Sequence, residues 1–114
     1  MKKFRVPCNG FNNPMFVTVE GKFIVIKGFE EFKFFVHRRV VRDWNANKQP
    51  AFKVDRAGWT VAGSPSGCAV PNGTDRWQRE AIRLATMTLE RYGKRKVGAA
   101  FQEAARLLQG KGKR

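Results

Sequence analysis

The chain has 114 residues, of which 42% are apolar and 28% are charged, and this length is typical of one compact domain. Its 10 Phe and 3 Trp residues indicate an aromatic-rich core and exclude a disordered chain. The 23 Lys and Arg residues exceed the 9 Asp and Glu residues and leave a formal net charge of +14, which predicts an anionic partner because such a surplus otherwise repels itself.

The amino terminus lacks the features of a secretory leader. Met1–Lys3 carry the positive charge of a signal-peptide start, but Phe4–Gly10 contain proline and asparagine and form no apolar h-region. No apolar run approaches the roughly 18 residues that span a bilayer. We therefore expect a cytoplasmic protein (in the host cytoplasm if it is viral) with no membrane partner and with reduced thiols at Cys8 and Cys68.

Residues 1–73 form the β part of the predicted domain, since short β-rich runs there alternate with turn signals. The runs cover residues 15–19, 22–26, 32–40, 51–54, 58–62 and 68–70. The turn signals are Glu20-Gly21, Asp55-Arg56-Ala57, Pro65-Ser66-Gly67 and Pro71-Asn72-Gly73. The first two runs flank a two-residue link that predicts a tight hairpin. The sequence thus predicts a bent antiparallel sheet of about five or six strands.

One segment of the β part also fits a helix. Helical spacing relates Phe29, Phe32, Val36, Val40 and Trp44. Acidic residues stand at the start of this segment and arginines near its end, as the helix dipole favours. The density of Phe and Val favours a strand. We expect the strand over residues 32–40, with the helix as the alternative.

Residues 74–109 form the α part. Asp75 can cap a first helix, with Gln78 as its capping-box partner. Its predicted apolar face consists of Trp77, Ala81, Leu84, Ala85, Thr88, Leu89 and Tyr92. Gly93 is expected to end this helix. A second helix is expected from about Lys96, with an apolar face of Val97, Phe101, Ala104, Ala105 and Leu108.

The predicted fold is a single α+β domain over residues 1–109, with an antiparallel sheet followed by two helices. Residues 110–114 are expected to be a flexible basic tail. The order of strands and then helices is similar to that of small sheet folds that bind single strands as dimers. An aromatic-rich sheet of this size can complete its core through a twofold partner, so we expect a homodimer.

Catalytic chemistry has little support in the sequence. His37 is the sole histidine and lies far from both cysteines in sequence, and three such residues are too few for a structural zinc site. There is no glycine-rich phosphate loop. Glu31-Phe32-Lys33 has the acid-x-Lys spacing of some metal-dependent nucleases, but Glu20 is the only acid before Glu30. We expect no enzymatic activity, no cofactor and no metal.

A first candidate nucleic-acid-binding surface lies on the strand over residues 32–40. Strand alternation places Phe32, Phe34 and Val36 on one face. The other face receives Lys33, Phe35, His37 and Arg39. An aromatic ring among basic groups is typical of single-strand binding, in which each stacked base contributes roughly 1–3 kcal/mol. In the alternative, Phe35 belongs to the core and the cations only solvate an edge of the sheet.

A second candidate surface lies on the predicted helices. Arg76, Arg79 and Arg83 share one face, and the junction of the helices carries Arg91, Lys94, Arg95 and Lys96. Arginine forks suit phosphate oxygens. The alternative is a solvated face with favourable charges at a helix end. That alternative does not explain the first three arginines, because cations near a helix start oppose its dipole.

The three tryptophans have different expected roles. Trp44 lies in a polar loop over residues 43–50 and either anchors this loop to the core, which we favour, or stacks on bases from an exposed position. Trp59 alternates with Val61 and Trp77 begins an apolar helix face, so both are expected in the core.

Three functions follow from these features, in decreasing order of support. The first is a non-catalytic nucleic-acid-binding protein, with single strands favoured. The second is a small basic interaction protein of phage or plasmid type that inhibits or regulates a nucleic-acid-handling enzyme. Its partner would be an acidic protein or a nucleoprotein complex. The third, with the least support, is an enzyme.

Overall fold

Five strands precede one helix along the chain. The computed structural model describes residues 2–8 and 15–112. Its elements are β1 (Lys2–Cys8), β2 (Met15–Ile24), β3 (Phe34–Arg42), β4 (Phe52–Gly63), β5 (Ala69–Asp75) and α1 (Gln78–Gly112). Each strand pairs with the next in antiparallel orientation, in the order β1-β2-β3-β4-β5. The α+β class is confirmed, and the segment that also fitted a helix contains the strand β3.

The sheet carries an apolar cluster on each face. On one face, Phe34 and Val36 of β3 pack with Val61 and with the buried side of α1, and we call this the helix-side cluster. On the opposite face, the inner cluster comprises Val6, Val19, Phe35 and Ala62. Successive residues of β3 point to opposite faces. Neighbours in the first half of β3 are therefore all buried, although they belong to different clusters.

The sheet curls until the turn between β4 and β5 meets β1. A Cβ atom on Gly67 in this turn would lie 2.2 Å from the backbone oxygen of Arg5. Gly67 also has a φ of +78°, a conformation that side chains disfavour. The close approach and the backbone angle both require glycine there. The predicted turn signal at residues 65–67 is thus the contact that closes the sheet over its inner cluster.

The predicted hairpin at Glu20-Gly21 is wrong, because β2 runs through these residues without a turn. Gly21 lies in the middle of the strand, opposite Lys2 on one side and His37 on the other. A Cβ atom at Gly21 would lie 2.5 Å from the backbone oxygen of Val36. The glycine permits close approach of two strands rather than reversal of the chain.

The predicted turn at residues 55–57 is also wrong, since β4 is one strand of 12 residues. Arg38 pairs with Trp59, whereas the next residue of β3, Arg39, pairs with Asp55. Three residues of β4 are therefore left over at this point. They form a bulge, which bends a strand without ending it.

A second bulge replaces the turn that was predicted at residues 71–73, which lie inside β5. Thr60 pairs with Thr74 and Ala62 pairs with Ala69, so the register shifts across this segment. The strand β1 was not predicted. It begins with two lysines and contains Pro7, which is accepted because β1 is an edge strand.

The structure has one C-terminal helix where two were predicted. Gly93 has non-helical angles (φ 82°, ψ 160°) inside α1, and the helical backbone then resumes. The glycine thus kinks the helix instead of ending it. Asp75 accepts a hydrogen bond from the backbone N–H of Trp77 at 2.9 Å. The first helical hydrogen bond joins the Ala81 N–H to the Trp77 backbone oxygen, so Trp77 occupies the N-cap position that was predicted for Asp75. The helix continues to Gly112, past the predicted end before residue 110, and tail residues 113–114 lie outside the described residues.

The apolar side of α1 agrees with the prediction in part. The buried positions are Ala81, Ala85, Thr88, Leu89, Val97 and Ala104. Trp77, Tyr92 and Ala105 are exposed, contrary to their predicted places in the core. The predicted position of the Leu108 side chain lies outside what the structure describes. Within residues 2–8 and 15–112, no helix is both long and apolar enough to cross a membrane.

Candidate nucleic-acid interface

The ring at the centre of the first candidate surface is buried. Phe35 is 1% exposed and belongs to the inner cluster. Phe4 of β1 stacks parallel to it, with 3.9 Å between the ring centroids. The sequence alternative in which Phe35 is part of the core is therefore correct. This ring has no open face on which a base could stack.

The other members of this candidate surface do not form one exposed patch. His37 is 3% exposed, its Nδ1 donates a hydrogen bond to the backbone oxygen of Arg38 at 2.5 Å, and burial lowers the pKa of its imidazole. Lys33 is exposed just before β3. Arg39 forms an ion pair with Asp55. The backbone N–H of Ala57 and the Arg39 guanidinium lower the pKa of the Asp55 carboxyl.

The helix cations are all on the surface, but they differ in their partners. The exposed residues are Arg76, Arg79, Arg83, Arg91, Lys94, Arg95 and Lys96. Arg83 pairs with Glu80, and the Lys94 Nζ lies 3.2 Å from a carboxylate oxygen of Glu31. The Arg76 guanidinium lies 5.3 Å from the ring centroid of Trp77, whose side chain is 64% exposed. An exposed aromatic ring thus accompanies the arginines at the helix start.

Strands β3 and β4 continue past β2 as a two-stranded extension. The β2–β3 pairing covers only residues 21–24 and 34–37, whereas the β3–β4 pairing continues to Arg42 and Phe52. We call residues 38–59, including the connecting loop, the ribbon. Trp59 is half-buried and packs against the helix-side cluster, which agrees in part with its predicted place in the core. Arg38 and Arg42 are half-exposed, and Trp44 is fully on the surface.

Two arginines of the ribbon contact aromatic rings, and the pair Val40 and Val54 lies between them in the β3–β4 register. The Arg38 guanidinium lies 3.8 Å from the ring centroid of Trp59. Arg42 lies 4.4 Å from the ring of Trp44 and 5.9 Å from that of Phe52. We call the two arginines and these three aromatic residues the ribbon stripe. Its two arginines are four strand residues apart, which corresponds to about 13 Å.

The loop at the end of the ribbon is held by hydrogen bonds of the Gln49 side chain. Its Nε2 donates to the backbone oxygens of Asp43 (2.9 Å) and Ala46 (3.0 Å), and its Oε1 accepts from Arg42 Nε at 3.3 Å. The side chain of Trp44 is 73% exposed in this fixed loop. The expectation that Trp44 anchors the loop to the core is therefore wrong, and the exposed alternative is correct.

A groove of about 420 Å³ separates the ribbon from β2, and we call it the ribbon groove. Its lining residues are Thr18, Val19, Glu20, Arg38, Val54, Arg56 and Trp59. Arg38 Nη1 donates to the backbone oxygen of Arg56 at 2.9 Å, which fixes the guanidinium over Trp59. The groove therefore combines two arginines, an aromatic ring and one carboxylate.

Sequence reasoning missed the ribbon stripe because its members come from both strands. Arg38 and Arg42 have the spacing of one strand face, and this signal was available. Trp59 joins them only through the β3–β4 register, which depends on the bulge in β4. Cations of β1 also cover exposed rings of β2, where Arg5 lies 4.2 Å from the Phe16 centroid and Lys2 lies 5.2 Å from that of Phe23.

Neither a group of metal-binding side chains nor a similar known protein indicates what the site binds. Among the described residues, no three His, Cys, Asp or Glu side chains are grouped so that they could hold a metal ion. No family model matches the chain, and neither a curated protein nor a solved structure matches it. The function therefore has to follow from the ribbon stripe, the ribbon groove and the charge.

Proposed function

We propose that the protein is a non-catalytic nucleic-acid-binding protein that holds single strands along the ribbon stripe. The observation that carries this proposal is the exposed Trp44 ring with the Arg42 guanidinium against it at 4.4 Å. A cation beside an exposed ring offers both contacts that a single strand needs. The ring stacks on a base, and the guanidinium donates to phosphate oxygens.

The fixed loop favours Trp44 as a stacking residue over an incidental exposed side chain. Gln49 holds the loop backbone and Arg42 together, so little conformational freedom is lost when a base stacks. A large exposed tryptophan otherwise has unfavourable contact with water. Base stacking on such a ring contributes roughly 1–3 kcal/mol. Duplex bases are already stacked on one another, and we therefore expect weaker binding of duplexes.

The start of α1 extends the cationic surface beyond the ribbon. Trp59 pairs with Asp75 in the β4–β5 register, and Arg76 and Trp77 follow directly in the chain. The cation–aromatic pair at the helix start is thus continuous with the Trp59 end of the ribbon stripe. Arg76, Arg79 and Arg83, which the sequence singled out, remain part of the proposed interface, whereas Phe35 and His37 are not.

The proposal is tested by titrating labelled 12-nucleotide single strands and a 12-base-pair duplex, as DNA and as RNA, with the protein and with Trp44→Ala. Because Trp44 is exposed, the variant keeps its melting temperature. It loses roughly 5- to 150-fold in single-strand affinity. Tyr92→Ala, which removes an exposed ring from α1, serves as the matched control and binds like the parent.

Two results contradict the proposal. One is no binding of any strand at about 50 mM salt, where electrostatic contacts are strong. The other is unchanged affinity of Trp44→Ala. A partner that is retained in a pull-down after nuclease treatment, together with either result, would support the acidic protein or nucleoprotein complex of the second hypothesis.

A further inference from the structure

Glu20 occupies an unexpected position for a nucleic-acid-binding surface. The chain has only 9 acidic residues against 23 basic residues, yet one carboxylate lines the ribbon groove beside Arg38 and Arg56. A carboxylate at this place repels phosphates, so binding of the backbone alone does not explain it. Its position suggests contact with a group that donates hydrogen bonds.

The carboxylate of Glu20 is available to a ligand. Lys3 lies opposite it in the β1–β2 register, but no ion pair joins Glu20 to any cation within the described parts of the chain. Five other acids do have such partners, for example Asp55 with Arg39. The two oxygens of Glu20 can therefore both accept hydrogen bonds from a molecule in the groove.

The ribbon groove also offers a planar surface for a base. The Arg38 guanidinium lies over the ring of Trp59 at 3.8 Å and is fixed by its hydrogen bond to the Arg56 backbone oxygen. Because Arg38 lines the groove, the plane opposite Trp59 can stack on a base, as guanidinium planes do in single-strand recognition. Val54 provides an apolar wall of the groove.

We propose that the ribbon groove binds one unpaired guanine base and that Glu20 selects it; this inference rests on the proposed function. Guanine is the standard base with two adjacent N–H donors, N1–H and N2–H, on its Watson–Crick edge. One carboxylate accepts both in a bidentate contact. The other bases place an acceptor beside their donor, and this acceptor repels a carboxylate oxygen. The Watson–Crick edge is free only in a single strand.

The test uses four labelled 12-nucleotide DNA strands of thymidine with a central G, A, C or T. The parent protein is expected to bind the G strand about tenfold more tightly than the others, within the range of a bidentate base contact. A fifth strand carries inosine at the centre. Inosine lacks the N2 amino group but keeps the N1–H donor, so its affinity is expected to fall between those of the G strand and the A strand.

The variant Glu20→Gln tests whether Glu20 causes the preference for guanine. A glutamine amide presents one acceptor and one donor, so the bidentate contact is lost and the G preference falls below about twofold. Affinity for the all-T strand stays the same or rises, because a negative charge is removed. Glu90→Gln makes the same charge change on the exposed side of α1 and keeps the preference.

The outcomes separate this inference from the proposed function. Binding of all four strands with equal affinity, or a G preference that survives Glu20→Gln, overturns the guanine site and leaves nucleic-acid binding intact. Failure to bind any strand at about 50 mM salt overturns both.

Discussion

The Phe35 ring is held by its neighbours in the inner cluster. Phe4 stacks on it, and Val19 and Ala62 belong to the same cluster. We expect Phe35→Ala to lower the free energy of unfolding by roughly 3–5 kcal/mol, because truncation leaves a cavity in a closed cluster. Urea unfolding measures this loss. Phe16→Ala, which truncates an exposed ring, is the control and is expected to change stability little.

A loss of that size approaches the whole stability of some small domains. Phe35→Leu, which leaves a smaller cavity, therefore serves as a second variant with a smaller loss. Affinity of the folded Phe35→Leu protein for single strands is expected to stay at the parent value. If Phe35→Ala unfolds at the same urea concentration as the parent, the ring is not part of the core.

His37 makes stability depend on pH through its burial. Burial in the folded protein lowers the pKa of this imidazole. As the pH falls, the imidazole is therefore protonated more readily in the unfolded chain than in the folded protein. Stability is therefore greatest above the unfolded pKa of about 6.5 and falls as the pH drops below it. The slope is at most about 1.4 kcal/mol per pH unit for one proton.

The measurement is urea unfolding of the parent and of His37→Gln at pH 7.5, 6.5 and 5.5. The parent is expected to lose stability over this range, whereas the variant loses much less because it has no imidazole to protonate. The half-exposed carboxylates with a lowered pKa, such as Glu80 and Asp55, contribute only in more acidic solution. An equal loss in both proteins shows that another group is responsible.

At the scale of single elements, the sequence predicted which parts of the chain form strands and helix better than the number of strands, because β1 was not predicted and β2 and β4 were each predicted as two strands. The order of β and α parts, the strand character of β3 and the buried side of α1 follow from composition and period. Gly21 and residues 55–57 were interpreted as turns, although they lie inside β2 and β4. A glycine that allows close strand approach and a bulge have the same local signature as a turn. A turn can be distinguished from these features only when the residue opposite it on the neighbouring strand is known.

The candidate site, too, could be predicted only in part, because local sequence does not reveal which surfaces pack together. Alternation correctly placed Phe34 and Phe35 on opposite faces of β3, but the period does not indicate which face meets water. Here the contact of Gly67 with β1 closes the sheet over Phe35, whereas α1 covers Phe34. The exposure of Trp44 could not be predicted from the sequence either, because it depends on hydrogen bonds within the loop.

The arginines at the start of α1 are tested as a group. The triple variant Arg76→Gln, Arg79→Gln and Arg83→Gln is expected to bind single strands more weakly, because this surface adjoins Trp59. Its fold is expected to persist, since glutamine keeps helix propensity. Its stability can rise by a few tenths of a kcal/mol, because cations near the helix start oppose the dipole.

A second triple variant with the same charge change provides the comparison. It carries glutamine at Arg91, Arg95 and Lys96, which flank the kink at Gly93. We expect a smaller loss of affinity than at the helix start, because these positions are not joined to the ribbon stripe by register. Equal losses in the two variants would indicate that net charge alone determines binding, and that the interface is not localised.

For the whole molecule, the distribution of charge supports an anionic partner. Five ion pairs join described residues. Most of the 23 basic residues in the chain are therefore not needed for internal ion pairs. Free cations on a folded surface release counterions when phosphates bind. The homodimer expected from the sequence stays a prediction, and sedimentation at several protein concentrations tests it.

The salt dependence of the affinity gives the number of phosphates that the protein neutralises. Each contact contributes about −0.7 to the slope of log affinity against log salt on single strands. The ribbon has six cations, of which Arg39 and Lys53 form ion pairs. The other four, Arg38, Arg42, Lys48 and Arg56, therefore predict a slope of about −3, and further contacts at the start of α1 make it steeper. Anisotropy titrations between about 50 and 200 mM salt determine this slope.

A double variant then assigns part of the slope to the ribbon. Arg38→Gln with Arg42→Gln removes two contacts, so the slope should become shallower by about 1.4. Lys27→Gln with Arg106→Gln removes the same charge from exposed positions outside the ribbon and should leave the slope unchanged. Long-range attraction by net charge predicts equal changes for the two variants, whereas direct phosphate contacts predict a change only for the ribbon. Equal slopes in the two double variants would therefore show that Arg38 and Arg42 make no direct phosphate contacts, even if both variants bind more weakly than the parent.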